Sequence, residues 1–536
     1  MIFYKKPLLL SILSGILLTL SWPVKGFSLL IFFSIVPMFF VEDQITKDSS
    51  KRKKLRLFSL SFLGFFIWNL GTTWWIVNSS FFGMVFAIFC NTSFYAIIMM
   101  IFHWSKKRLP LRTAYIFLVA LWIAFEKFHL EWDFSWPWLN FGNVFSEDIK
   151  WVQWYEFTGA FGGTLWVLFI NIGLFEVLKN NPPSFKNTLW IKKMSPWLIG
   201  IAIPISISLI LYNSEKGLTP STEVLILQPN IDPYNEKYNK ENDYYFNLMS
   251  NMIADKITDQ TRYIFTPETY FGSGFGVSIE EFRTTSLHRK IDSLLEKNPN
   301  IQLISGIQSY SLFRTESPPT ATANFIRNGI WVDFYNSAMK MEFQQEPEFY
   351  HKSKLVVGVE NMPYKSFFKP LMGEFLLDLG GTVSSRAIQK NRSVFEHKKI
   401  KLKTGPIICY ESIYGEFVTE YVRKEANFLA IITNDAWWGE TPGHKQLLSY
   451  ARLRAIENRR SIVRSANTGI SAIINTKGEI IKKLPYGTKG VLRGKFAPAD
   501  SITFYTQYGD YIARWSQFIT VSFFLIGLSG RLKESS

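Results

Sequence analysis

The chain alternates between two kinds of patterning. Long apolar runs with few charges fill residues 7–24, 27–42, 57–78, 81–103, 112–129, 158–178, 195–213 and 512–530. Each approaches the ~20 mostly apolar residues that cross a bilayer core as helix. The pattern predicts about eight transmembrane helices, seven before residue 214 and one after residue 510. Lys5 and Lys6 precede the first run in the manner of a signal peptide, but the runs that follow it and the lack of a clear small-residue cleavage site favour a membrane anchor. Between Ser214 and Asp510 the period shortens. Strands are predicted at Val224–Gln228, Tyr263–Thr266, Ile301–Ser305, Gly329–Asn336, Ile400–Tyr410, Phe428–Thr433, Ser461–Ser465 and Ser471–Asn475, with helices at Ile279–Glu296 and His444–Asn458 and a hairpin turning at Lys477-Gly478. Strands alternating with helices indicate a layered α/β domain. Three parts follow: a transmembrane domain 1–213, a catalytic domain 214–510, and a C-terminal transmembrane helix with its tail, 511–536.

Charge sets the orientation. The formal charge of +16 invites a nucleic-acid reading, yet much of the excess lies in short loops between apolar runs. With the N-terminus in the cytoplasm, eighteen Lys and Arg residues fall on that side: Lys5, Lys6, Lys47, Lys51–Lys54, Arg56, Lys106–Arg108, Arg112, Lys179, Lys186, Lys192, Lys193, Arg531 and Lys533. The opposite short loops hold three: Lys25, Lys127 and Lys150. The positive-inside rule then places 214–510 outside the cytoplasmic membrane and removes the need for a nucleic-acid partner. The aromatic loop Glu131–Gly142 reads as a headgroup belt, or as a packing surface or entry lip for the soluble domain. Glu126 and Glu176, near span ends, read as interface positions, and such sparse intramembrane charge argues against a transporter.

Candidate chemistry sits in the soluble part. The six histidines show no metal-ligand spacing, so no metal site is expected. Of two cysteines, Cys90 lies in an apolar run and Cys409 ends a buried-type strand before a turn, where backbone N–H groups can serve an oxyanion. Taken singly, Cys409 is more often a core residue, Glu268 a solvated loop residue and Lys352 a surface residue.

Together the segments resemble the nitrilase, or carbon–nitrogen hydrolase, superfamily: Pro267-Glu268, Tyr350-His351-Lys352 with Leu355 and Glu360, Cys409-Tyr410-Glu411, and Thr433-Asn434-Asp435-Ala436-Trp437-Trp438-Gly439 running on to Ala451–Glu457 and Arg464–Gly469. The whole chain is similar to one branch, the apolipoprotein N-acyltransferases, through Gln228-Pro229-Asn230-Ile231, Pro137-Trp138-Leu139 and Gly162-Gly163. It departs from that family at Val357-Gly358-Val359 and at Lys237-Tyr238, which stands in place of a tryptophan. The resemblance implies an αββα sandwich and a Glu268–Lys352–Cys409 triad, with Glu360, Tyr410, Glu411, Tyr238, Asn434, Trp437 and Trp438 in support. It implies a multi-pass protein of the bacterial inner membrane that needs no cofactor. Its partners are a phospholipid acyl donor, diacylglyceryl lipoprotein precursors and the lipid bilayer. Apolar segments such as Phe367–Leu377 could lower the site mouth onto the outer leaflet. A membrane-anchored amidase, with water as second nucleophile, is the alternative.

Overall fold

The computed structural model describes residues 6–181, 188–214, 218–233, 236–237, 239–361 and 386–530. Tyr238 and the segment Phe367–Leu377 lie outside the described residues, as do Lys5, Lys186, Arg531 and Lys533 of the charge count. The chain forms two compact units, one of residues 1–77, 81–215 and 508–536, the other of residues 78–80 and 216–507.

The first unit is helical. Seven helices among the described residues are long and apolar enough to cross a membrane: Ser28–Lys47, Lys53–Asn78, Phe81–Arg108, Leu111–Glu131, Ala160–Asn180, Trp190–Ser214 and Tyr511–Ser529. The first expected span is shorter than predicted. It forms the 15-residue helix Pro7–Ser21, about 22 Å at 1.5 Å per residue against a ~30 Å hydrocarbon core. The Trp22-Pro23 step after it has left helical geometry, with Trp22 extended. This helix lies against Lys53–Thr73 at a glycine contact, where a Cβ on Gly15 would fall 2.4 Å from the Gly64 carbonyl oxygen.

One expectation changes here. The loop after Glu131 is no surface belt in its central part, because Trp138 and Phe141 are fully buried within this unit. Trp138 packs on Trp75 at 4.8 Å and Phe141 on Trp122 at 4.8 Å between ring centroids. Glu126 is buried within the same unit. Its carboxylate accepts the Phe141 N–H at 2.9 Å and the Thr164 hydroxyl at 2.8 Å, which meets the needs of a polar group taken out of water.

The second unit is built on two sheets. The first has the order β14-β1-β2-β4-β6-β5, with β3 on β4 and β7 on β6. Its strands are β1 (Thr222–Gln228), β2 (Thr261–Phe265), β3 (Val277–Ser278), β4 (Gln302–Phe313), β5 (Asn324–Arg327), β6 (Ile330–Met341), β7 (Glu348–His351) and β14 (Gly490–Phe496). The second has the order β13-β12-β11-β10-β9-β8. It comprises β8 (Phe395–Glu396), β9 (Lys403–Ile408), β10 (Phe428–Thr433), β11 (Ile462–Ala466), β12 (Ser471–Ile474) and β13 (Ile480–Leu484). Strands β1, β2 and β4 run parallel, as do β9, β10 and β11.

Period-two alternation decides what each face buries. Tyr263 and Phe265 of β2 turn toward the second sheet, where Tyr263 meets Phe428 at 5.2 Å and Phe428 meets Phe496 at 4.3 Å. The intervening Ile264, with Leu225 and Leu227, faces the other way onto helices α1 (Asn242–Ile253) and α2 (Ser286–Lys297), through Tyr245, Met249, Ile291 and Leu295. Helix α2 starts later than predicted because Thr285 caps it, its hydroxyl accepting the His288 N–H at 3.2 Å. On the second sheet, α3 (Gly415–Arg423) packs on β9, and α4 (Pro442–Asn458) is buried along most of its length. The result is the αββα sandwich expected from the motifs.

Candidate active site

The polar residues singled out from sequence gather where parallel strands end, the edge at which α/β sheets present their chemistry. Glu268 follows β2, Cys409 follows β9, and Asn434 follows β10. Glu268 sits in a tight turn, with Thr269 left-handed at φ 47°. The turn presses on Gly306 of β4, where an added Cβ would lie 2.2 Å from the Pro267 carbonyl oxygen, so only glycine lets it close. Cys409 is itself left-handed, at φ 52°. That bend ends β9 and starts the 3₁₀ turn Cys409–Ile413.

Hydrogen bonds fix the Glu268 carboxylate on both oxygens. Oε1 accepts from Lys352 Nζ at 3.0 Å and Asn336 Nδ2 at 2.7 Å, and Oε2 accepts the Asn434 N–H at 3.0 Å. Lys352 Nζ also donates to Glu360 Oε2 at 2.8 Å, and Asn336 Nδ2 reaches Glu360 Oε1 at 2.9 Å. One ammonium and one amide thus bridge two carboxylates. The Val356–Asn361 turn makes this possible. Gly358 takes φ 82°, and the Glu360 N–H returns to the Val356 carbonyl at 2.9 Å. Val357-Gly358-Val359 therefore still delivers the glutamate to the lysine.

The electrostatics follow from burial and pairing. Burial opposes the Lys352 charge, but the charges of Glu268 and Glu360 hold the ammonium well above the ordinary lysine range. Burial also pushes the Glu360 carboxyl up, yet the Lys352 and Arg386 charges bring it down to about 2. The Cys409 thiol rises well above its ordinary value, through burial first and the Glu268 charge second, with Lys352 opposing.

Glu411 braces the arrangement. Fully buried, it accepts from the Ile408 N–H at 2.8 Å, the Ser353 N–H at 2.6 Å and the Tyr350 hydroxyl at 2.8 Å. It thereby ties the strand carrying Cys409 to the segment carrying Lys352. Tyr410 is buried and packs on Tyr414 at 5.4 Å. Trp437 and Trp438 are half-buried in the 3₁₀ turn Asp435–Trp438, and their carbonyls accept from the Ser79 hydroxyl and the Asn78 amide.

Sequence reasoning missed two members. Asn336 lies inside β6, where asparagine is disfavoured, and that was the available signal. Lys237 is buried, with Nζ 3.2 Å from the Glu268 carbonyl oxygen. Burial lowers its pKa to about 8 against the opposing pull of Glu268.

The carbon-nitrogen hydrolase family model matches residues 226–503, more than half of the chain, and the apolipoprotein N-acyltransferase N-terminal domain model matches residues 14–173. The chain belongs to the apolipoprotein N-acyltransferases, within the carbon–nitrogen hydrolase family. This acyltransferase is 27% identical over 518 residues to the apolipoprotein N-acyltransferase of Chlorobaculum tepidum, covering 95% of this chain and 94% of that one. The apolipoprotein N-acyltransferase of Haemophilus influenzae is 25% identical, covering 94% and 91%. That of Rickettsia prowazekii is 26% identical, covering 97% and 98%. This acyltransferase is a multi-pass membrane enzyme of a bacterial family.

Proposed function

We propose that this acyltransferase moves a fatty acyl chain from a phospholipid to the α-amine of an S-diacylglyceryl-cysteine at the N-terminus of a lipoprotein, through a thioester on Cys409. The observation that carries the reading is the Glu268–Lys352 pair, held rigidly and in electrostatic contact with the buried Cys409 thiol. In the first half-reaction Glu268 takes the thiol proton, and sulfur attacks the acyl ester carbonyl. The lysophospholipid alkoxide leaves, taking the proton from Glu268. Lys352 stabilises the tetrahedral oxyanion. In the second, the neutral amine attacks the thioester, Glu268 takes its proton, and the amide forms as the C–S bond breaks. Splitting the transfer in this way replaces one difficult step by two easier ones.

The excess of cationic loops favours the orientation with residues 214–510 outside the cytoplasm, as the catalytic domain of an inner-membrane protein. Confinement of both lipid substrates to one bilayer concentrates them at the site. Mass spectrometry tests the chemistry. Exposure to phospholipid alone should add one acyl mass to Cys409, labile to hydroxylamine, and release lysophospholipid. Adding diacylated lipopeptide should discharge it as an amide, and acetylating the lipopeptide amine beforehand should prevent discharge. Rapid release of free fatty acid without acceptor would instead identify an amidase-like hydrolase. An unmodified Cys409 with unchanged phospholipid would overturn the reading.

A further inference from the structure

A second line of buried groups reaches Cys409 from the neighbouring strand. β9 and β10 run parallel and their register ends on the pair Ile408–Ile432, so Cys409 and Thr433 are the next residues of two neighbouring strands. Among the groups that bear on the Cys409 sulfur, the Thr433 hydroxyl favours its charged form. It also donates to Asp435 Oδ1 at 2.7 Å. The other oxygen of that carboxylate accepts from Arg464 Nη2 at 2.7 Å, and Arg464 Nη1 is anchored on the Ile470 carbonyl at 2.6 Å. Thr433, Asp435 and Arg464 are all fully buried. Gly469 closes over the carboxylate, where an added Cβ would lie 2.2 Å from Asp435 Oδ2. The line Arg464–Asp435–Thr433–Cys409 is built, and the triad does not use its first three members.

A hydroxyl carries one proton and two lone pairs. Beside a neutral thiol, the Thr433 proton belongs to Asp435, and its oxygen can accept the S–H. Once the sulfur is negative, the proton can turn toward it, and Asp435 is not stranded because Arg464 still pairs with it. We propose that Thr433 is a further catalytic residue, a hydroxyl that swings its proton from Asp435 to the Cys409 sulfur whenever that sulfur carries negative charge. Asp435 and Arg464 are its positioning residues. The inference rests on Cys409 being the nucleophile. The sulfur is negative at two points. It is negative as Glu268 removes its proton before attack. It is negative again when the amine's N–C bond forms and the C–S pair returns to sulfur, the amine proton passing to Glu268 and then back to sulfur. Thr433 donates a hydrogen bond at both points and gains or loses no proton.

The test is alkylation of Cys409 by iodoacetamide in the full chain in detergent, read from the Cys409 peptide by mass spectrometry so that Cys90 does not interfere. Below the thiol's midpoint the rate is proportional to the thiolate fraction. Thr433→Val, which keeps the shape and removes the hydroxyl, should slow alkylation about tenfold at a fixed pH, the loss expected for one hydrogen bond to a charged atom. Thr433→Ser should react as wild type. If Thr433→Val does not fold, Thr433→Ala carries the same expected direction. Discharge of a preformed acyl group by lipopeptide should slow in the same variants. An unchanged or faster alkylation in Thr433→Val would overturn the proposal, the latter because it would show the hydroxyl stabilising the thiol. Cys409→Ala separates the two readings. If it retained transfer, the nucleophile would be wrong, while the substrate-free alkylation ratio would still decide the Thr433 contact.

Discussion

Replacing Glu360 by glutamine removes one negative charge from the buried cluster and keeps its size. The side chain accepts from Lys352 at 2.8 Å, Asn336 at 2.9 Å and the Val356 N–H at 3.0 Å. Its carboxyl is held at about 2, against an ordinary value of 4.5, which corresponds to about 3 kcal/mol of folded-state preference for the carboxylate. A separate bound has the same scale. Unit charges at the 2.8 Å of this pair attract by roughly 6 kcal/mol at an effective dielectric of 20, and desolvation takes back a large part. The folded value lies below the unfolded one, so this stabilisation is fully present above about 4.5 and is lost as the pH falls toward about 2. Thermal unfolding of the full chain in detergent micelles, followed by tryptophan fluorescence, measures it. At neutral pH Glu360→Gln should unfold roughly 5 °C below wild type, at about 2 °C per kcal/mol for a unit of this size, and the gap should close on acidification. The acylation rate should fall as well, because Glu360 no longer holds the Lys352 ammonium in place beside Glu268. Equal midpoints at neutral pH, or a gap that widens in acid, would refute the reasoning.

Cys409→Ala should abolish the acyl adduct seen by mass spectrometry, while Cys90→Ala should leave it intact. Glu268→Gln should slow adduct formation by about 10²–10⁴-fold, the range for loss of a positioned general base, measured in a single turnover with phospholipid alone. Lys237→Met should raise the thermal midpoint at neutral pH. Its folded pKa, about 8, lies below the ordinary 10.5, so the charged form is disfavoured by burial, and stability gained from this group rises only as the pH climbs through that window. An unchanged or lower midpoint would refute this. Reporter fusions or cysteine labelling should find residue 300 outside the cytoplasm and residues 50 and 108 inside.

What the chain discloses in one dimension is local. Phe428–Thr433 is a strand as its unbroken apolar run predicts, and the turn at Lys477-Gly478 joins β12 to β13, with Gly478 at φ 83°. The motif residues Glu268, Lys352, Cys409, Glu411 and Asn434 were visible because their neighbours in sequence are distinctive. Asn336 was not. It is one polar residue inside β6, and its place arises only from the register that sets Ser337 opposite His351 and brings the Asn336 carbonyl to the Lys352 N–H; Thr433 stands in a motif, but that it ends its strand next to the end of β9 shows only in the register. The aromatic loop misled for the opposite reason. Composition announces Trp138 and Phe141, but whether a ring faces lipid or the Trp75–Trp122 core is decided by tertiary packing.

The buried thiol looks at first like an obstacle to catalysis, because burial and the Glu268 charge both make it harder to ionise. That difficulty is measured against a proton released to water. Glu268, held on both oxygens by Lys352, Asn336 and the Asn434 N–H, offers a different destination. Moving the proton from Cys409 to Glu268 transfers one negative charge from carboxylate to sulfur and leaves the total charge of the cluster unchanged. No new charge is created in the low-dielectric interior, so the large Born cost that raises the thiol against solvent does not apply to the transfer. Only the difference in proton affinity between two neighbouring groups remains. In the proposed mechanism Lys352 and the Thr433 hydroxyl lower that difference as the charge moves to sulfur.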